Sequence, residues 1–213
     1  MKRLAWVSLL VVVLLATGCG GGGSKASKGC PTISKPKARN PVATVDRRRL
    51  LDASKQWTVT FETSCGAFAV RLEPKTSPHA TASLVALAKA QYFDGTIFHR
   101  IVPGFVIQGG DPSQSGAGGP GYSTIDPPGA STSYRKGVVA MAKTATEPRG
   151  AAGSQFFVMT ADAPTLDPDY AVVGKVVSGM DVVQKIGRLG DLNDPNGTPT
   201  QVVAVEHVTV QST

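Results

Sequence analysis

Apolar and polar positions alternate in two short segments near residue 60, which is the pattern of half-buried β-strands. Trp57, Val59 and Phe61 alternate with threonines and a glutamate, and residues 68–73 repeat the alternation after a Ser-Cys-Gly turn. Two alternating segments joined by a short turn predict a β-hairpin. We expect the folded domain to begin at this hairpin and to span residues 56–213.

The rest of the chain predicts two helices and several short strands. Ser77 and Pro78 mark a helix start, because serine is favoured before a helix and proline at its first position, and helical apolar spacing continues to Lys89. A second helix is predicted over residues 180–189. Further strands are predicted at 96–101, 105–108, 137–142, 155–160, 171–177 and 202–210. Many short strands with glycine- and proline-rich joints favour a mainly β fold, a barrel capped by the two helices.

The N-terminus has the pattern of an export signal. Lys2 and Arg3 precede an apolar run of 13 residues at positions 4–16, which is too short to span a bilayer comfortably. The following Ala-Thr-Gly-Cys resembles the bacterial lipoprotein signal, although alanine stands where leucine is commoner three places before Cys19. We expect residues 1–18 to be removed, Cys19 to carry the lipid, and the domain to be exported and anchored to the cell membrane. A plain secretory signal or an uncleaved anchor, the two alternatives, would export the domain as well.

Residues 19–55 are expected to form a flexible basic linker between the anchor and the domain. A glycine-, serine- and lysine-rich stretch is followed by prolines and cations without a sustained period. These cations either contact anionic lipid or are solvated. They also explain the formal charge of +7, because residues 1–56 carry a net +9 and residues 57–213 a net −2. Since a nucleic-acid-binding module carries its basic surface on the folded domain, no nucleic-acid partner is expected.

The three cysteines fit an exported protein. If Cys19 carries lipid, Cys30 and Cys65 remain, and an even remainder in an oxidising compartment favours a disulfide bond. Such a bond would join the linker to the domain, whereas two free thiols are the alternative. No cysteine or histidine pair has the spacing of metal ligands, so neither a metal nor another cofactor is expected.

Three apparent motifs are not expected to carry chemistry. Residues 116–121 match G-x-G-x-x-G, but a proline interrupts the segment and no helix follows, so we interpret it as a loop. Ser154 lacks the flanking residues of a nucleophile elbow. Asn196 and Gly197 are interpreted as a turn, although with Thr198 they match a glycosylation sequon.

The segment FHRIVPGFVIQGGDP, residues 98–112, places an arginine among large apolar residues. With GSQFF at 153–157 it supplies one cation, two amides and an apolar surface, but no evident nucleophile. Such a set can bind and polarise, and rotation about an X–Pro peptide bond needs no more than that. The barrier of about 18–20 kcal/mol comes from amide resonance, and the twisted transition state restores a lone pair on the prolyl nitrogen. Arg100, a permanently charged donor, could bind that nitrogen selectively in the transition state.

The same two segments resemble the two signature segments of the cyclophilin-type peptidyl-prolyl isomerases, and the resemblance extends from about residue 57 to residue 210. It implies a closed eight-stranded antiparallel β-barrel with a helix capping each end. It also implies isomerase activity on proline-containing polypeptides, without a cofactor, that assists the folding of exported proteins. We further expect a monomer.

The resemblance carries the family's site residue by residue onto this chain. The catalytic positions are Arg100 and Gln108, of which Gln108 either orients the arginine or binds the substrate carbonyl. The proline ring would lie against Phe105, Val106 and Phe157. The full set of substrate-binding positions is His99, Phe105, Val106, Gly116, Ala142, Lys143, Gln155, Phe157, Thr165, Leu166 and Tyr170.

Four of these positions depart from the family's pattern. Val106 replaces a common methionine, Lys143 replaces the asparagine of an Ala-Asn-Ala segment, and Tyr170 replaces a histidine of many eukaryotic members. Thr165 stands where many eukaryotic members have the tryptophan that contacts cyclosporin. We therefore expect weak cyclosporin sensitivity with catalysis retained.

Two other functions stay open at this point. A binding module, that is, a receptor or chaperone for proline-containing segments, would use the same apolar pocket with little turnover. A structural envelope lipoprotein would not depend on Arg100. The presence of Arg100, Phe105, Gln108 and Phe157 favours the enzyme.

Overall fold

The hairpin predicted from the alternation starts the domain. In the computed structural model, which describes residues 29–46 and 49–213, β1 (Trp57–Thr63) pairs antiparallel with β2 (Gly66–Leu72). Phe61 lies opposite Phe68, and both side chains are buried with their rings stacked at 5.1 Å. The alternation therefore sends one face of the hairpin into the core, as the sequence indicates.

Both predicted helices are present, and several of the strands are shorter than predicted. In chain order the elements are α1 (Pro78–Lys89), β3 (Arg100–Val102), β4 (Val106–Gly109), β5 (Thr124–Ile125), β6 (Val138–Met141), β7 (Ala151–Ala152), β8 (Phe156–Met159), β9 (Val172–Ser178), α2 (Met180–Gly187) and β10 (Val205–Ser212). The prediction of a mainly β fold with two helices is confirmed. The sequence analysis missed β5 and β7, since two residues are too few to show a period.

Helix α1 is capped differently from the prediction. Ser77 precedes the helix, but its side chain makes no capping hydrogen bond. Instead, the backbone N–H of Ala80 donates to Oδ2 of Asp126 at 2.6 Å, 46 residues along the chain. A carboxylate at a helix N-terminus satisfies a free N–H and suits the positive end of the helix dipole, so Asp126 fulfils the role expected of Ser77.

Among the described residues, eight strands form one antiparallel sheet in the order β10-β1-β2-β9-β6-β8-β4-β3, and β5 and β7 form a separate pair. The sheet is curled, and the regular ladders give its eight strands but not a continuous closure, so the closed barrel stays a prediction. Residues 96–99 were predicted as strand, but the regular ladder starts only at Arg100. The two ends of the sheet are nevertheless joined there by a bridge between Ile97 and Ala204 and by backbone hydrogen bonds from Gly95 and Phe98 to the carbonyls of Val205 and Val203.

The core fills the inside of the curled sheet and is covered by the two helices. Five phenylalanine rings pack there within 6.4 Å of a neighbouring ring, and α1 and α2 each add aliphatic side chains. These residues are Phe61, Phe68, Phe93, Phe98 and Phe156, with Leu84, Leu87, Val183 and Ile186 from the helices. The site described below lies outside this core, on the outer face of β4, β6 and β8.

The basic segment before the domain lies against it over residues 30–45, which we call the arm. Cys30 is joined to Cys65 by a disulfide bond, and the arm contains neither helix nor strand. The expected signal peptide (1–18), the lipid site Cys19 and the tether up to residue 28 lie outside the described residues. Within residues 29–46 and 49–213, no helix has the length and apolar character needed to cross a membrane.

One pH-dependent contact fixes β10. The Nδ1 atom of His207 lies 2.7 Å from Oδ2 of Asp94, whose Oδ1 accepts from the Val208 N–H. The hydrogen bond with Asp94 raises the pKa of His207 above 6.5, and Glu62, its register partner on β1, adds attraction.

We predict that this contact loses its stabilising effect as the pH rises. The folded state favours the protonated imidazole, so the contribution is complete below about pH 6.5, the pKa in the unfolded chain, and disappears as the pH passes the raised folded pKa. Urea unfolding of the wild type and of His207→Gln should be measured between pH 6 and pH 9. The difference between their free energies of unfolding should become smaller as the pH rises. A proton NMR titration that placed the pKa of His207 at or below 6.5 would contradict this.

Candidate active site

Arg100 is held from two sides at the start of β3. Its Nε donates to the backbone carbonyl of Asn196 at 3.1 Å, and its Nη1 donates to Oε1 of Gln108 at 3.4 Å. Gln108 is the register partner of Arg100 on β4. Gly197 allows the Asn196 loop to approach, because it has a φ of +82° and a Cβ there would lie 2.7 Å from Val102. The guanidinium is therefore oriented by one side chain and one backbone carbonyl.

A chain of amides leads from Arg100 to the glycine-rich loop, residues 111–121. Nε2 of Gln108 donates to Oε1 of Gln155 at 3.0 Å. Nε2 of Gln155 in turn donates to the carbonyls of Gly116 and Gly118 at 2.8 and 2.9 Å. The loop carbonyls thus orient the amide of Gln155, and Gln155 orients the amide of Gln108. The position of Oε1 of Gln108, which accepts from Arg100, therefore depends on the position of the glycine-rich loop.

A cavity of about 370 Å³ opens beside the guanidinium, and six of its nine lining residues are apolar or aromatic. Its size is within the range of small-molecule pockets and exceeds what a proline ring needs. The rings of Phe157 and Tyr170 meet edge to face at 5.3 Å in the wall of this cavity. The lining residues are Arg100, Phe105, Val106, Gln108, Ala142, Lys143, Phe157, Leu166 and Tyr170.

The alternation of β8 separates the site from the core. All four residues of this strand are buried, so exposure alone does not distinguish them. Phe156 and Val158 belong to the inner core, whereas Phe157 and Met159 belong to a second apolar cluster that forms the base of the cavity. Neighbouring phenylalanines therefore have different surroundings because successive side chains of a strand point to opposite faces.

A second cavity of about 570 Å³ adjoins the first and shares Gln108, Ala142 and Lys143 with it. The glycine-rich loop and Gln155 form much of its wall. The predicted residues Gly116 and Gln155 lie here and not in the apolar cavity. The structure thus places eleven of the thirteen predicted catalytic and substrate-binding residues on two connected cavities.

The other two predicted residues, His99 and Thr165, line neither of these cavities. His99 lines a separate cavity of about 310 Å³ together with Lys35 of the arm and Gln201. Burial lowers the pKa of His99 and so favours the neutral imidazole. Thr165 is exposed on the loop that leads to Leu166.

Lys143, the departure from the family's asparagine, turns its ammonium group into the protein. Its side chain is only 6% exposed, and Nζ lies 3.4 Å from Oδ2 of Asp169. Nζ also donates to the carbonyls of Thr144 and Glu147 and lies 5.7 Å from the centre of the Tyr170 ring. The lysine therefore joins two loops at the rim of the cavity and supports the Tyr170 ring.

Two further residues of the site were missed by the sequence analysis. Tyr134 is buried behind Tyr170, where its hydroxyl donates to the Tyr170 carbonyl and accepts from the Tyr170 N–H, both at 2.9 Å. Asn196 was recognised as part of a turn, but not as a partner of Arg100. No local pattern marks either contact, since the partners lie 36 and 96 residues apart.

Comparison with known sequences agrees with this geometry. The family described as "Cyclophilin type peptidyl-prolyl cis-trans isomerase/CLD" matches residues 58–210. The chain is 36% identical over 144 residues to the "Peptidyl-prolyl cis-trans isomerase" of Helicobacter pylori, a match covering 66% of this chain and 86% of that protein. It is 36% identical over 157 residues to "Peptidyl-prolyl cis-trans isomerase-like 2" of Cryptococcus neoformans, covering 71% of this chain. The match spans only 27% of that longer fungal protein.

Comparison with solved structures gives the same result. A Cryptosporidium parvum cyclophilin-type peptidyl-prolyl cis-trans isomerase superposes with a TM-score of 0.66 at 29% identity, covering 74% of this chain and 99% of that one. A second crystal structure of that protein, determined in the presence of the dipeptide Ala-Pro, superposes with the same TM-score. The signature segments, the curled eight-stranded sheet and these matches together lead to one conclusion: the chain belongs to the cyclophilin-type peptidyl-prolyl cis-trans isomerases.

Proposed function

We propose that this chain accelerates the cis–trans isomerisation of X–Pro bonds in exported polypeptides, with Arg100 as the donor to the prolyl nitrogen. The observation that carries this proposal is the position of Arg100, an oriented guanidinium at the edge of an apolar cavity. An acceleration of about 10⁵-fold requires about 7 kcal/mol of differential transition-state binding. A charge-assisted hydrogen bond in a site that excludes water, together with fixed orientation, is the kind of interaction that supplies such energy.

The other residues of the site have roles that follow from their contacts. Phe105, Val106 and Phe157 would hold the proline ring while the preceding residue rotates. Gln108 presents its Oε1 to Arg100 and thereby orients the guanidinium. Gly116 and Gln155 lie in the adjoining cavity, where residues that precede the proline would bind.

A protease-coupled assay on a short X–Pro peptide distinguishes the enzyme from a binding module. We expect the full-length chain, purified in detergent, to speed the cis-to-trans conversion catalytically. A binding module would instead give only a stoichiometric effect, and its peptide affinity would be measurable by calorimetry. Absence of turnover in the wild type, with the peptide still bound, would reject the enzyme.

We also propose that the domain acts outside the cytoplasm, attached to the membrane through a lipid on Cys19. The sequence of residues 1–19 and the Cys30–Cys65 bond, which suits an oxidising compartment, support this. We expect mass spectrometry of the mature protein to show a diacylglyceryl-modified Cys19 at the N-terminus and a Cys30–Cys65 peptide that separates on reduction. An unmodified N-terminus at another position would contradict the proposed lipid anchor. It would not bear on the proposed isomerase activity.

Cyclosporin is predicted to inhibit this chain weakly. The position at which the drug meets a tryptophan in many eukaryotic members is Thr165, which is exposed and lines neither active-site cavity. Titration of the isomerase reaction with cyclosporin should therefore need far more drug than enzyme, and Thr165→Trp should increase the sensitivity. Stoichiometric inhibition of the wild type would contradict the prediction.

A further inference from the structure

The arm is attached to the domain at several points along its length. At one end Cys30 is bonded to Cys65, and Nε2 of Gln201 donates to the carbonyls of Cys30 and Pro31. In the middle Arg39 reaches across the domain surface, where its Nη2 donates to the carbonyls of Tyr92 and Asp94 at 2.7 and 2.5 Å. A segment that was expected to be a flexible linker, joined to the domain by the disulfide bond alone, is therefore fixed by that bond and by several hydrogen bonds.

The arm contacts the glycine-rich loop at both of its ends. The backbone N–H of Arg39 donates to the Pro112 carbonyl at 2.9 Å, and that of Ala43 donates to the Pro120 carbonyl at 3.2 Å. Between these points Nε2 of Gln114 donates to the arm's Pro36 carbonyl at 3.0 Å. Gln114 has a φ of +61°, a left-handed conformation that is uncommon for a residue other than glycine. The arm thus holds the outer side of the loop, including a residue in an unfavourable conformation.

The inner part of the loop is organised by Asp111. Its carboxylate, which is fully buried, accepts from the N–H groups of Ser113, Ser115, Gly116 and Gly118. Burial alone would raise the pKa of Asp111, but hydrogen bonds from Ser113, Gly118 and Gly116 outweigh it and lower that pKa. The loop is therefore held between a carboxylate on its inside and the arm on its outside.

This loop supplies the acceptors that orient the amide chain of the site. Gln155 donates to the carbonyls of Gly116 and Gly118, Gln108 donates to Gln155, and Arg100 donates to Gln108. If the loop moved, the Gln155 amide would lose its two carbonyl acceptors and would no longer orient Gln108. Oε1 of Gln108, the acceptor for Arg100, would then no longer be fixed. The route from the arm to the guanidinium thus begins with hydrogen bonds between the arm and the loop and continues through the loop backbone. From the loop it follows the hydrogen bonds that join Gln155, Gln108 and Arg100.

We propose that Arg39 is a positioning residue for the isomerase reaction: with the disulfide-anchored arm it holds the glycine-rich loop in the place that orients Gln155, Gln108 and Arg100. This rests on the proposed role of Arg100. Arg39 itself touches no substrate and acts only through the loop. The arm is therefore part of the catalytic unit, and the domain from residue 56 onward is catalytically incomplete.

The first test compares variants of the full-length chain in the isomerase assay at 10 °C. Arg39→Ala is expected to lower kcat/KM about fivefold, the effect of losing about one net hydrogen bond. Arg39→Lys, which retains a cationic donor for the two carbonyls, should recover most of the activity. Lys37→Ala is the matched control, because Lys37 is an exposed cation on the same arm, and it should remain within twofold of the wild type.

The second test measures the loop without relying on activity. Hydrogen exchange of the amides of Ser113, Gly116 and Gly118 should be faster in Arg39→Ala and in the double variant Cys30→Ser/Cys65→Ser. Exchange at Val59 and Ile107, in the core strands, should change far less. The NMR signals of the Gln155 side-chain amide should shift in both variants but not in Lys37→Ala. If Arg39→Ala does not fold, Arg39→Gln provides the same comparison.

The outcomes separate this proposal from the proposed function. A wild type without turnover, or an Arg100→Ala variant as active as the wild type, would reject the role of Arg100, whereas the exchange data would still decide whether the arm holds the loop. An active wild type that needs Arg100 but is unaffected by Arg39→Ala and by loss of the disulfide would overturn the positioning role alone. If Arg39→Ala lowered the melting temperature but left kcat/KM unchanged, the arm would stabilise the fold without positioning the active site.

Discussion

Replacement of Arg100 by alanine is expected to lower kcat/KM at least tenfold, and up to about a hundredfold, while leaving the fold intact. The substitution removes one charge-assisted hydrogen bond to the prolyl nitrogen, which is worth about 1.5–3 kcal/mol. The fold should persist because, within the described part of the chain, the Arg100 side chain bonds to Gln108 and to the Asn196 carbonyl alone, and it lies outside the core. The measurement is the protease-coupled assay, together with circular dichroism and thermal unfolding.

Two further variants show what the arginine contributes. Arg100→Lys retains the charge but lacks the planar fork that can bond the Asn196 loop, Gln108 and the substrate together, so we expect most of the loss to remain. Arg135→Ala removes an exposed arginine that lines neither active-site cavity and should leave kcat/KM unchanged. If Arg100→Ala retained more than half of the wild-type kcat/KM, the proposed mechanism would be rejected.

The second large effect concerns two adjacent phenylalanines on β8. Phe156 is fully buried in the core, with its ring 4.9 Å from that of Phe61 and 6.0 Å from that of Phe93. Phe156→Ala should therefore lower the free energy of unfolding by about 3–5 kcal/mol, because it removes the buried ring and leaves a closed cavity. The kcat/KM of the folded fraction should change only a few-fold.

Phe157→Ala should affect catalysis more than stability, the opposite of Phe156→Ala. The Phe157 ring lies in the wall of the open apolar cavity, so its removal enlarges a space that water or substrate already reaches. We expect a smaller loss of stability than for Phe156→Ala and at least a tenfold loss of kcat/KM. Urea unfolding and the isomerase assay on both variants provide the comparison. If both substitutions changed the free energy of unfolding and kcat/KM to the same extent, the assignment of Phe156 to the core and of Phe157 to the pocket would be contradicted.

The arm changes the view of where the catalytic domain begins. Hydrophobic alternation starts at β1, and a domain boundary near residue 56 follows from that pattern. The segment before it has no sustained alternation, since its contacts are made by backbone groups, by the single side chain of Arg39 and by a few apolar residues such as Ala43 and Val45. Such contacts produce no period in the sequence. An extended segment that is bound to a domain therefore cannot be distinguished from a free linker by its sequence pattern.

Much of the fold could be predicted from the sequence because it is determined locally. The β1–β2 hairpin and both helices follow from the periods of neighbouring residues, and the two signature segments contain eight of the residues that line the two cavities. The prediction was less successful where pairing is distant or short. The regular part of β3 begins later than predicted, since residues 96–99 join residues 203–205 through one bridge and a few backbone hydrogen bonds, and the two-residue strands β5 and β7 were not anticipated.

The sequence by itself determined the kinds of residue available to the site: an arginine, two glutamines and a set of aromatic and aliphatic side chains within two segments. Tertiary structure decided how they are oriented. The Asn196 carbonyl reaches Arg100 across 96 residues, Lys143 turns inward to Asp169, and Arg39 reaches the turn at Tyr92 and Asp94. A local pattern reflects only neighbours along the chain, whereas these contacts exist because packing brings distant backbone groups within hydrogen-bonding distance.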